Sequence, residues 1–140
     1  MTLDRDAIRD AIRDLLLAEP SIADDLQVQK WEGANPDAWF ERFLKGRRGG
    51  IAISYAGSRE YTDTSGGTRI RRREAMVVLA MYVATEGDAL AHLSTLDALL
   101  DGTKIAVAQT AYYVYMEQDE LTGRVEGHYA YEIRLRIDPV

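Results

Sequence analysis

Glu74-Ala-Met-Val-Val-Leu-Ala-Met-Tyr-Val-Ala-Thr85 is the stretch whose reading decides the fold. Between Ala75 and Ala84 there is no charge, no Gly and no Pro. Val77, Val78, Tyr82 and Val83 favour a pleated backbone. At period two, Val77, Leu79, Met81 and Val83 share one face, and Met76, Val78, Ala80, Tyr82 and Ala84 share the other. Both sets are apolar, so the stretch reads as a strand covered on both faces. Helices of the same chain are expected on one face and a neighbouring subunit on the other. A buried helix is the alternative, because a short apolar run does not fix its own period.

Outward from that strand, the chain reads as alternating helix and sheet. Residues 3–19 place Leu3, Ala7, Ile8, Ala11, Ile12, Leu15 and Leu16 on one helical face, with Thr2 or Asp4 as cap and Pro20 as the stop. Leu26–Trp31 has the texture of a short strand. Asn35-Pro36 opens a short helix through Leu44, with Trp39, Phe40 and Phe43 in a small satellite core. Gly49-Gly50 leads the strand 51–56, and Ser58–Thr68 reads as a long, mobile hairpin loop, about 58–69. After the central strand, Asp88 caps a helix ending at Gly102. Strands follow at 111–117 and 124–137, with a turn at 119–123 and a possible extra strand at 104–109. The expected fold is one α+β domain over residues 1–140. Its antiparallel sheet has about four strands with two main helices on one face, in the order α-(α)-β-β-α-β-β.

Composition narrows the function. A chain of 140 residues with 46 % hydrophobic content suits one folded core. With no cysteine, disulfides and thiolate chemistry are excluded. The first turn is charged with no apolar segment behind it, so neither a signal peptide nor a membrane span is expected. His92 and His128 are the only histidines. Neither has acids at ligand spacing, so both read as ordinary surface or edge residues and no metal site is expected. No nucleophile elbow occurs, and Gly66-Gly67 lacks the Lys-Ser/Thr pair of a phosphate loop. No enzyme, cofactor or catalytic residue is expected.

The net charge of −6 is unevenly spread. Residues 1–46 carry six basic and ten acidic side chains, a balance of −4, and residues 74–140 carry four and eleven, a balance of −7. Residues 47–73 carry seven Arg (Arg47, Arg48, Arg59, Arg69, Arg71, Arg72, Arg73) against Glu60 and Asp63, a balance of +5. Either this is a solvated loop, or it meets an acidic surface on a copy of the chain or on nucleic acid. The candidate interface is those seven arginines with Met76, Val78 and Tyr82. Tyr112, Tyr113 and Tyr115 offer stacking surface for RNA, but their strand carries Glu117 and no cation.

In layout the chain resembles the tail-terminator and tail-completion proteins of tailed bacteriophages, in particular a Mu-like prophage family. The resembling parts are the helix Ala7-Ile-Arg-Asp-Ala-Ile-Arg-Asp-Leu-Leu-Leu17 and the strand Gly50-Ile-Ala-Ile-Ser-Tyr-Ala-Gly57. They continue with Arg71-Arg-Arg-Glu-Ala-Met-Val-Val-Leu79, the helix end Leu99-Leu-Asp-Gly102 and a tyrosine-bearing C-terminal hairpin. The resemblance implies a non-catalytic ring, expected to be a hexamer, at the neck-proximal end of a virion tail, assembled in the bacterial host cytoplasm. Its implied partners are copies of itself, the tail tube and sheath, a neck or head-completion protein, and DNA passing through the lumen, with no membrane. A head–tail connector, or a nucleic-acid-binding α+β module, is the alternative.

Overall fold

A computed structural model describes residues 3–31 and 49–140. The described residues are mostly strand, 55 %, in one six-stranded mixed sheet curled into a half-barrel, with few helices. The elements in order are α1 (Arg5–Leu17), α2 (Pro20–Ala23), β1 (Leu26–Lys30), β2 (Gly49–Asp63), β3 (Ile70–Val83), α3 (Glu86–Leu100), β4 (Lys104–Val107), β5 (Thr110–Val125) and β6 (His128–Pro139). The strand order across the sheet is β1-β2-β3-β6-β5-β4. β1 runs parallel to β2, and every other neighbouring pair is antiparallel.

This corrects the four-stranded antiparallel sheet with two packed helices. β1 joins as a parallel edge and β4 as the opposite edge, so the sheet is larger and mixed. Long-range parallel pairing leaves no local sequence signal, because its partner lies beyond a crossover rather than a turn. The expected short helix at 36–44 and its aromatic cluster lie outside the described residues.

β1 and β4 are the two opposite edges, yet α1 contacts β1, β2 and β4. A flat sheet cannot bring both edges to one helix; the strands must twist and curl around it. The trough so formed holds the core: Ile8, Ile12 and Leu16 of α1, Leu93, Leu96 and Leu100 of α3, and Val77, Leu79 and Met81 of β3. Burying each large aliphatic side chain contributes about 1.5–3 kcal/mol.

Local chemistry sets the ends. The Asp4 carboxylate accepts from the Ala7 amide at 3.0 Å, capping α1. Pro20 occupies the first turn of α2. Thr85, not Asp88, caps α3: its hydroxyl accepts from the Asp88 amide at 3.2 Å, and Asp88 sits in the first turn where the helix dipole favours an acid. Gly49 pairs with Val83, and a Cβ there would stand 1.9 Å from the Tyr82 carbonyl oxygen, so only glycine permits β2 to approach β3 this closely.

Candidate assembly interface

β3 is central, with β2 on one side and β6 on the other. Its inner face, Ala75, Val77, Leu79, Met81 and Val83, is 0 % exposed throughout. On the outer face, Val78, Ala80 and Tyr82 are half-buried, and Met76 is 41 % exposed. The outer face has two parts. At the Tyr82 end, Ala52 is buried in a second small cluster with Trp31, Ala80, Tyr82 and Val125. At the Met76 end the apolar surface stays open beside the charged row of β6. There Arg134 pairs with Glu132 at 2.8 Å. Arg136 pairs with Glu117 at 2.9 Å and lies 4.9 Å over the Tyr115 ring.

Beyond the sheet, β2 and β3 continue as a two-stranded arm. β3 pairs with β6 only from Ala75 to Val83, whereas β2–β3 pairing runs on to Asp63 opposite Ile70. The expected mobile loop at 58–69 is therefore strand as far as Asp63, then a tight turn through Ser65–Gly67. Gly66 and Gly67 both have φ of 79°, a conformation glycine takes without strain. Strand-favouring Tyr61, Thr62 and Ile70 and cross-strand ion pairs hold the arm.

The arginines are mostly engaged within this arm. Arg59 pairs with Glu74 at 2.7 Å, Arg71 with Glu60 at 3.2 Å and Arg72 with Asp63 at 3.2 Å. Glu74 is 5 % exposed, so Arg59 compensates a carboxylate that has left water. Arg69 and Arg73 are exposed and have no acidic partner among the described residues. Arg47 and Arg48 lie outside the described residues. Thus Arg59, Arg69, Arg71, Arg72 and Arg73 come together on one arm, while Met76, Val78 and Tyr82 lie on the outer face of the same strand.

Two bonds tie the arm to the end of β6. The Tyr61 hydroxyl donates to Asp138 Oδ1 at 2.7 Å, and Arg72 donates to the Pro139 carbonyl at 2.8 Å. Removal from water, and then the Asp138 carboxylate, push the Tyr61 hydroxyl up to about 12. Under the arm lies an open groove of about 470 Å³, lined by Leu3, Tyr112, Pro139 and Val140 together with Glu60 and Ile70 to Arg73 of the arm.

A second exposed hairpin is formed by β5 and β6. Residues 117–124 of β5 are exposed in an unbroken row. The turn is Glu126-Gly127, with φ of 50° and 81°, where His128 pairs with Val125 across a two-residue loop. The turn expected at 119–123 is strand, and Gly123 sits at a bulge with φ of 149°.

Two buried polar groups escaped the sequence reading. One is Glu74. The other is His92, which is 7 % exposed rather than a surface residue. Its Nε2 lies 2.7 Å from Asp25 Oδ2, joining α3 to the segment before β1. The signal was present: Ala89, His92, Leu93, Leu96 and Leu100 share one helical spacing, with His92 in a core position. At the far end of β1, Lys30 is held by Asp10 at 2.8 Å and Asp6 at 3.4 Å. The Arg9 and Lys30 cations lower the Asp6 pKa, while the bonds to Asp10 and Asp6 raise that of Lys30.

Among the described residues, no group of three or more His, Asp or Glu side chains is placed to hold a metal ion. No described helix is long and apolar enough to cross a membrane.

No protein-family model matches this chain, and no curated protein matches it. Solved structures do share its fold. One is a chain of the "Virion of native gene transfer agent (GTA) particle", 13 % identical with a TM-score of 0.64, the match covering 99 % of this chain and 98 % of that one. A second solved chain, whose name states no function, is 15 % identical with a TM-score of 0.62, covering 99 % and 97 %. The superpositions establish a common fold over nearly the whole length, and identity at this level shows nothing beyond the fold.

Proposed function

We infer that this chain is a structural subunit of a phage-like particle. The observation that carries the reading is the likeness over 99 % of the chain to a chain of a gene transfer agent virion. The physical motive for assembly is the half-open apolar surface at Met76 and Val78 in the middle of the sheet, where a solvated face is normally polar. In the finer form of this reading the subunits close a ring, a hexamer, on the neck-proximal end of the tail tube. The ring stops tube growth and presents a docking face to a neck or head-completion protein. DNA passes through its lumen, and in a contractile particle the sheath abuts it. Assembly takes place in the cytoplasm of the bacterial host. The role is mechanical, and no chemical step belongs to it.

Electron microscopy of the purified protein with tail tubes tests this. The expected result is a closed ring seated on one end of each tube, with tube growth arrested. A ring found between capsid and tail, absent from the tube itself, would favour the connector reading. DNA or RNA binding that weakens steeply with salt and with Arg71, Arg72 and Arg73 changed to Ala, without any ring, would favour the nucleic-acid module.

A further inference from the structure

We propose that the groove beneath the cationic arm receives the acidic edge of β5, Glu117–Leu121, from a second copy of the chain. This rests on the assembly reading above and specifies which two surfaces meet.

The acidic side is an unprotected strand edge. β4 covers β5 only from Thr110 to Tyr113. The segment before β4, Asp101 to Thr103, continues that cover as far as Met116, whose amide donates to Asp101 Oδ1 at 2.9 Å. From Glu117 onward β5 has β6 on one side and solvent on the other. Bulges at Met116/Gln118 and Leu121/Gly123 bracket a short regular window, Gln118–Leu121. Bulges and charge on an edge discourage indiscriminate strand pairing, so a partner must match the charge.

The hairpin's own cations do not neutralise that window. Arg124 lies 4.7 Å over the Tyr129 ring. Arg136 serves Glu117, and Arg134 serves Glu132. Asp119 and Glu120 have no cationic partner among the described residues, and beside them Leu121 is 50 % exposed.

The receiving groove sets Arg71, Arg72 and Arg73 against Glu60 in its lining, a cationic balance beside an apolar floor. Among the described residues Arg73 has no acidic partner, and Arg71 pairs with Glu60, their side chains 86 % and 56 % exposed. A surface pair of that kind contributes little and exchanges partners readily. Leu3 and Tyr112 line the groove, and Ile70 at its rim is 44 % exposed. A volume of about 470 Å³ accommodates a few side chains rather than a small cofactor held in an enclosed pocket.

The two surfaces cannot meet within one molecule. Asp119 is opposite Ile133, which is opposite Leu79. Arg73 therefore lies six residues along β3 from that row, ~20 Å, and two strands across, ~10 Å. Different patches that join copy to copy make a heterologous contact, which closes as a ring or runs on as a filament.

Sedimentation velocity of charge-reversed chains at low and moderate salt tests the proposal. Asp119→Lys with Glu120→Lys is expected to weaken association at least tenfold. Arg71→Glu with Arg73→Glu should do the same, and combining all four reversals in one chain should restore assembly. All are exposed positions, and circular dichroism should show an unchanged fold. As an independent readout, the cysteine-free chain carrying both Glu120→Cys and Arg73→Cys should give a disulfide-linked ladder, while each single variant stays monomeric. If wild type assembles but neither reversal weakens it, or the fourfold variant is not rescued, this pairing of surfaces is wrong and the assembly reading stands. A wild-type chain that never assembles, alone or on tubes, overturns both.

Discussion

The two faces of β3 are made of the same kinds of residue and have opposite fates. Ala75, Val77, Leu79, Met81 and Val83 are sealed in the trough beneath α1 and α3. One residue out of phase, Met76 and Val78 look outward and keep contact with water. The inner face is occupied by this chain's own helices. Among the described residues, the outer face has its own cover at the Tyr82 end, through the cluster around Ala52, and Met76 at the other end stays 41 % exposed. The inner face therefore governs folding, and the Met76 end of the outer face governs what the folded subunit joins. Substitutions on the two faces should separate stability from association.

The largest effects belong to the inner side. Leu79→Ala removes a fully buried side chain and should cost about 2–5 kcal/mol in chemical denaturation. Gly49→Ala forces a Cβ into the Tyr82 carbonyl and should cost about 3 kcal/mol, with loss of β1–β2–β3 protection in hydrogen exchange. A wild-type-like midpoint for either variant would mean that the sheet is not closed around this strand as described.

The outer side should behave oppositely. Met76→Lys with Val78→Asp should destabilise the fold by about 1–2 kcal/mol, less than Leu79→Ala, while reducing self-association at least tenfold by light scattering. If these changes unfold the subunit as Leu79→Ala does, the two faces are equivalent and the distinction fails.

The smallest effect concerns the arm. A tyrosine whose folded pKa is raised favours the native state while protonated. The Tyr61 contribution to stability is complete below about pH 10, the usual tyrosine value, and is lost as pH rises towards about 12. Ultraviolet titration of the wild type against Tyr61→Phe should show a late step, near pH 12, that the variant lacks. Identical late titration in the wild type and Tyr61→Phe would show that the arm is not tied to Asp138.

Sequence patterning was informative where one face is buried and silent where neither is. The apolar run at 75–84 declared itself a strand because both of its faces are oily. The regularly alternating residues of β6 did so because one face is. The arm at 58–63 and 70–74 carries Arg, Glu, Thr and Asp on both faces, so its strand period has no hydrophobic contrast to reveal it, and its glycines drew a loop reading. Residues 117–124 failed for the same reason. Gly123 marks a bulge there, while Glu126-Gly127 makes the turn. The arginine cluster was visible as charge, but not its neutralisation: Glu74 and Asp63 reach it only through the register of β2 against β3. The interface candidates thus resolve into an internally paired arm with two unpaired arginines among the described residues and a separate oily patch on the strand below it.

The most direct measurement is sedimentation velocity of the wild-type chain and the Met76→Lys, Val78→Asp variant, side by side over a wide concentration range. The expected result is a closed assembly of fixed subunit number for wild type and a folded monomer for the variant, with matching circular dichroism. Identical sedimentation of the two proteins would contradict the account, because the outer face of β3 would then have no part in joining one subunit to the next.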